Sequence, residues 1–194
     1  MSSESPWGLA KLVLDQREQT KKRNKLLYQS EHDELTGLYN KRSLNRYLED
    51  VFEACKLNEK ELGILFLDID YFKQLNDRYG HGKGDEGICA VADTLKRIFP
   101  EDYVARYGGD EFLVVMTGRD LTYAMEHAES LCAGIREYKI PNEDSELEPW
   151  LTISVGGVCA IPREPNRVWD FLSAADKTLY DQKNEQKGKV RFYV

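Results

Sequence analysis

Four acidic residues fall in two short stretches whose spacing could support chemistry. The apolar run 62–67 ends in "DID", which places Asp68 and Asp70 two apart, and "RYGGDEF" (106–112) sets Asp110 and Glu111 side by side after two glycines. Side chains alternate along a strand, so Asp68 and Asp70 project from the same side of that strand or of its exit. An acid ending a wholly apolar strand, next to an acidic pair on a hairpin, is how a site for a hard divalent cation is built. Mg²⁺ takes oxygen ligands in near-octahedral geometry and keeps several waters, so one or two carboxylates plus substrate phosphates complete its shell. Two such ions can activate an attacking oxygen and stabilise a leaving one during in-line displacement. In outline, that chemistry is phosphoryl or nucleotidyl transfer. Simpler readings stand beside it: Asp110 and Glu111 could be solvated turn carboxylates, and Asp70 could cap a helix starting at Tyr71.

Further residues suit a nucleotide. Lys73 follows Asp70 by three at the opening of a helix, whose exposed N–H groups favour anions. The stretch "GHGKGDE" (80–86) reads as a glycine-rich turn into another helix, with His81 as a turn or capping residue. Asn76 and Asp85 offer an amide and a carboxylate to a base edge; the N1–H and N2–H₂ donors of guanine suit an acceptor such as Asp85. Gly108 and Gly109 supply the turn of the hairpin, and without side chains they would let a nucleotide lie against the backbone. Taken singly, each of these is a weak signal.

These residues need a scaffold, and 194 residues suffice for one ordinary domain with a modest appendage. A composition of 41% hydrophobic and 31% charged residues is that of a globular chain. No stretch approaches the roughly 20 apolar residues of a membrane span, and the opening lacks the basic and apolar regions of a secretory signal. The expectation is a cytoplasmic protein without direct membrane insertion. A formal charge of −7 argues against a nonspecific nucleic-acid binder, which needs a basic footprint, and no nucleic-acid partner is expected. Cys55, Cys89, Cys132 and Cys159 lie far apart with no paired spacing and read as small buried hydrophobes.

Residues 7–31 read as one long polar helix without a clean heptad, either a signalling coiled coil or a lone solvated helix. Beyond it, Leu44, Tyr47, Leu48, Val51 and Phe52 make one apolar helical stripe in 41–57, and 62–70 reads as a buried central strand. The predicted order continues with helices over 71–80 and 84–99 and a hairpin over 103–116. A helix over about 120–138, a strand over 150–160, a helix over 166–184 and a closing strand "VRFYV" complete it. Helices interspersed with a hairpin-containing sheet predict an α+β or mixed α/β sandwich with a largely antiparallel centre.

Five ordered blocks resemble the GGDEF domains, the diguanylate cyclases: "DELTGLYNKR" (33–42), "FLDIDYFKQLNDRYGHGKGDE" (66–86), "RYGGDEF" (106–112), "LTISVGG" (151–157) and "AADKTLYDQK" (174–183). Five spaced blocks carry far more weight than one short motif. The resemblance implies a sheet like the palm of nucleotidyl cyclases and polymerases, with a catalytic domain over 32–194 and an N-terminal helix, a coiled coil or linker, over 1–31. It implies condensation of two GTP into cyclic di-GMP and two pyrophosphates, with Mg²⁺ or Mn²⁺. By the same resemblance, Asp68, the Ile69 carbonyl and Glu111 hold the metal. Asp110 assists deprotonation of the ribose 3′-hydroxyl and touches metal. Asn76 and Asp85 read guanine. Phe72 and Lys73 correspond to the phosphate-binding backbone and lysine, and Lys183 to a phosphate-binding lysine on the last helix.

Cyclic di-GMP carries two symmetric linkages, so two sites must face each other across a two-fold axis and a homodimer is expected. The family's usual upstream sensory domain is not in this chain, so a fragment of a longer protein is expected, with a short natural protein as the alternative. Two departures from the family pattern stand out. The inhibitory Arg-x-x-Asp stretch is replaced by "FPED" (99–102), with Phe99 for the arginine and Asp102 retained, so no inhibitory site is expected. The family's Lys-x-x-Gly-Arg is replaced by "KNEQKGK" (183–189), where Lys187 or Lys189 could act as a point charge but neither reproduces an arginine fork. The competing reading is a catalytically weak or inactive GGDEF module serving as a GTP-binding or protein-interaction regulator.

Overall fold

The computed structural model describes the backbone of residues 6–193 and the side-chain surroundings of residues 16–193. Residues 1–5 of the expected N-terminal segment and Val194 of the expected closing strand lie outside the described residues. Twelve elements follow in chain order: α1 (Pro6–Glu31), β1 (Tyr39–Asn40), α2 (Lys41–Leu57), β2 (Leu62–Ile69), α3 (Phe72–Tyr79), α4 (His81–Ile98), β3 (Tyr103–Gly108), β4 (Glu111–Thr117), α5 (Leu121–Arg136), β5 (Ile153–Ala160), α6 (Val168–Glu185) and β6 (Val190–Tyr193). The six strands form one sheet in the order β1-β3-β4-β2-β5-β6. Its inner pairings are antiparallel and its two edge pairings parallel. This is the antiparallel-centred mixed sheet with flanking helices that the sequence predicts.

The continuous apolar run of β2 serves two cores, which explains why it lacks alternation. Leu65, Leu67 and Ile69 pack with α4 and α5 on one face, whereas Leu62, Ile64 and Phe66 pack with α2 and α6 on the other. The period of two puts Asp68 on the α2/α6 face, at the open end of the strand. Helix α6 lies close against β5: a Cβ on Gly156 would sit 2.1 Å from the Leu179 amide nitrogen. Lys183, one turn beyond Leu179, is therefore carried to the end of β2.

Helix α1 is exposed from Gln16 to Ser30 and meets the domain through a column of rings. Tyr28 stacks on His32, His32 on Tyr39, Tyr39 on Tyr103 and Tyr103 on Tyr47, with centroid separations of 4.0, 4.5, 4.1 and 3.9 Å. Among the described residues no helix is long and apolar enough to cross a membrane.

Three local expectations need correction. The glycine-rich segment 80–86 is not a turn: after Gly80, α4 begins at His81 and contains the remaining glycines. The hairpin turn consists of Gly109 and Asp110 rather than the two glycines, because Gly108 is still paired with Glu111 in the ladder, past a register shift between Arg106 and Gly108. Only Gly109 of the two adopts a positive φ, +37°. Finally, the strand expected from Trp150 starts at Ile153; Trp150 makes only an isolated bridge with Pro141.

Candidate active site

The antiparallel register places Asp68 of β2 directly across from Glu111 of β4 and from Ser154 of β5. The next residue, Ile69, donates its N–H to the Asp110 carbonyl at 3.3 Å, so the hairpin turn is fastened to the exit of β2. Asp68, Ile69, Asp110 and Glu111 are thus brought together from two strands and one turn. Lys183 of α6 reaches the same place, with its Nζ 2.5 Å from Asp68 Oδ1.

Burial pushes the Asp68 carboxyl up to about 6, with the neighbouring charges of Asp110 and Asp70 adding to the effect and Lys183 opposing it. Burial also raises Glu111, helped by Asp110 and Asp176 and opposed by Lys41 and Lys183. Desolvated carboxylates that repel one another are stabilised in their charged form by a cation. Among the described residues no group of three or more His, Cys, Asp or Glu side chains converges as a ready-made cage. Two facing carboxylates and a strand-end carbonyl are nevertheless hard oxygen donors, and they fit a Mg²⁺ that takes its other ligands from water and phosphate.

Asp70 has a different place. It is fully buried, its oxygens accept hydrogen bonds from Thr152 Oγ1 at 2.9 Å and Ser154 Oγ at 2.7 Å, and its backbone N–H donates to the Thr152 carbonyl. It does not cap α3. Tyr71 holds the capping position, in a left-handed backbone conformation (φ +55°) and without a side-chain cap.

Phe72 and Lys73 open α3, Phe72 half-buried against the core and Lys73 exposed. One turn on, the Asn76 amide oxygen is buried and has no hydrogen-bond partner. It lies where a side chain at residue 84 would have to go, since a Cβ on Gly84 would fall 2.1 Å from it. Asp85 is exposed beside that glycine, and His81 stands exposed at the start of α4. A buried, unpaired amide oxygen beside an exposed carboxylate offers acceptors to the N–H edge of a base.

Past α6, Gly188 is tied from both sides: its N–H donates to Ser154 Oγ at 3.0 Å and its carbonyl accepts from Arg136 Nη2 at 3.0 Å. Lys187 then rests its Nζ 3.9 Å from the Tyr71 ring centroid, while Lys189 is exposed. At the replaced inhibitory stretch, Phe99 is buried in the core and Asp102 accepts a hydrogen bond from Tyr123 Oη at 3.0 Å.

Sequence reasoning missed Tyr71, Ser154 and Arg106. The last joins Asp33, 3.1 Å from its Nη1, to the Gly109 carbonyl, 2.7 Å from its Nη2. A tyrosine after the acidic strand end and an arginine before the glycines were visible as residue types. Apart from Gly109, three residues past Arg106, their partners come from distant segments, which no local pattern reveals.

A family model described as "Diguanylate cyclase, GGDEF domain" matches residues 30–189. "Probable diguanylate cyclase DgcC" of Escherichia coli K12 is 30% identical over 170 residues, covering 87% of this chain and 44% of that protein. "Diguanylate cyclase DgcM" of the same organism is 33% identical over 181 residues, covering 92% of this chain and 42% of its own. The chain therefore spans less than half the length of these curated relatives. Among solved structures, the coiled coil and GGDEF domain of DgcB from Caulobacter crescentus, in complex with c-di-GMP, gives a TM-score of 0.85 at 22% identity, covering 95% of this chain and 97% of that one, a likeness of fold. The diguanylate cyclase SiaD from Pseudomonas aeruginosa, in complex with its activator SiaC, gives 0.74 at 28% identity, covering 95% of this chain and 72% of its own. With its sheet, its acidic strand end and the family match running through nearly the whole domain, the chain belongs to the GGDEF family of diguanylate cyclase domains.

Proposed function

We propose that this domain is an active diguanylate cyclase that condenses two GTP into cyclic di-GMP and two pyrophosphates. The observation that carries this reading is the cross-strand pairing of Asp68 with Glu111, next to the Asp110 turn. Asp68, Glu111 and the Ile69 carbonyl would hold Mg²⁺, with Mn²⁺ as a substitute and Asp110 at its margin. Such an ion lowers the pKa of an oxygen it binds and stabilises charge on phosphate oxygens.

The chain's own residues do the rest. Asn76 and Asp85 accept from guanine and set its position. The backbone N–H groups of Phe72 and Lys73 and the ammonium groups of Lys73, Lys183 and Lys187 take the phosphates. Lys183 leaves Asp68 for the phosphates once the carboxylate has another positive partner. His81, Gly108 and Gly109 line the approach of the nucleotide. Asp110 takes the proton from the ribose 3′-hydroxyl, whose oxygen attacks the α-phosphate of the facing GTP and displaces pyrophosphate. Repeating the step with roles exchanged closes the ring, so two copies related by a two-fold axis form the working unit. We assign regulation to parts of a longer protein, with α1 as the connection, and place the domain in the cytoplasm.

Incubation of the purified protein with GTP and Mg²⁺, followed by chromatography and mass spectrometry, is expected to yield cyclic di-GMP. Absence of product from a demonstrably dimeric preparation would overturn the assignment.

A further inference from the structure

Tyr71 has an uncommon backbone for a bulky residue, left-handed at φ +55°. Its two polar contacts point in different directions. Lys187 Nζ lies over its ring at 3.9 Å, and its hydroxyl donates to Glu146 Oε2 at 3.3 Å. Glu146 belongs to the acidic loop 141–149, which is fixed along α3: Asn142 Nδ2 donates to the Asp70 carbonyl at 3.3 Å, and Arg78 at the far end of α3 pairs with Glu143 and Asp144. Next to Lys187, Gly188 is anchored through Ser154 and Arg136.

We propose that Tyr71 is a positioning residue for the triphosphate site, its ring holding the Lys187 ammonium at the start of α3 and the acidic loop holding the ring. This rests on the diguanylate cyclase reading. A lysine is a point charge on a flexible stem and lacks the orienting fork of an arginine. Left free, Lys187 would lose rotamer entropy on meeting a phosphate. The backbone tether at Gly188 and the aromatic face at Tyr71 fix both ends of the stem beforehand. The held charge then stands over the ring of the residue that immediately precedes Phe72 and Lys73, at a helix start whose first N–H groups have no side-chain cap from Tyr71.

The test is a double-mutant cycle on Mg²⁺-dependent binding of 3′-deoxy-GTP, which cannot cyclise, measured by calorimetry, with the thermal midpoint recorded for each variant. Tyr71→Leu and Lys187→Met are each expected to weaken binding by between about two- and thirtyfold, the span of a cation–π contact. The double variant is expected to bind no worse than Lys187→Met. Tyr71→Phe, which keeps the ring, should retain most of the affinity. If Tyr71→Leu does not fold, Tyr71→Asn removes the ring with a residue that accepts left-handed backbone. Additive losses, or a Tyr71→Phe as weak as the ring deletions, would overturn the positioning role while wild-type binding keeps the cyclase reading intact. A wild-type protein that does not bind 3′-deoxy-GTP overturns both.

Discussion

Two positions separate Asp68 from Asp70, and their surroundings give them different work. Asp68 faces Glu111 and Lys183 at the rim of the sheet, whereas Asp70 is enclosed and satisfied by two hydroxyl donors. The first was legible in the sequence, because an acid ending an apolar strand has no apolar partner to explain it. The second was not: the donors on Thr152 and Ser154 lie 82 and 84 residues away, and a local reading could offer only a helix cap. Glu111→Gln removes the negative charge but keeps the shape. That variant is expected to lower cyclic di-GMP formation by roughly two orders of magnitude or more with an unchanged circular dichroism spectrum. Turnover near that of the wild type would show that Glu111 does not bind the metal.

Among the elements, the long helices follow from their polar and apolar spacing and the buried central strand from its continuous apolar run, and their bounds agree with the structure to within a few residues. Short or irregular pieces did not follow. The two-residue β1 has too few side chains to show alternation, and the glycines at 80, 82 and 84 hid the start of α4 behind a turn signal. Glycine there answers packing as well as flexibility, as the Asn76 contact at Gly84 shows. The lead-in after α1 and the signature hairpin are joined by Arg106, which pairs with Asp33 and holds the Gly109 carbonyl. Burial pushes the Asp33 carboxyl up, but hydrogen bonds from Thr36 and Arg106 and the arginine's charge outweigh it, leaving the carboxyl below its usual value of 3.8. With the folded-state pKa below the unfolded one, the contribution of Asp33 is present in full above about pH 4 and is lost as pH falls through the lowered folded value. Asp33→Asn is therefore expected to destabilise the protein at pH 7 by about 1–3 kcal/mol. The gap from wild type should shrink in acid, as read from denaturation midpoints across pH.

For the molecule as a whole, each copy presents one acidic strand end and, on the proposed reading, one guanine-reading pair and one triphosphate site, while the proposed product has two linkages. Specific activity is expected to rise with protein concentration and to fall on dilution in parallel with the dimer fraction measured by analytical ultracentrifugation. Activity independent of concentration in a monomeric sample would exclude the two-site scheme. The assembled architecture was legible because five blocks occur in order along the chain. The loop 141–149 was legible only as a loop. Its role depends on ion pairs with Arg78, more than sixty positions earlier, that composition does not announce. The column running from Tyr28 to Tyr47 has a consequence of another kind. Its five rings come from α1, the lead-in to the domain, β1, α2 and β3, so the joint between helix and domain is itself a chromophore. Rotation or withdrawal of α1 would lift Tyr28 off His32 and shorten the stack by its outermost ring, and near-ultraviolet circular dichroism would register the state of that joint in the unlabelled protein.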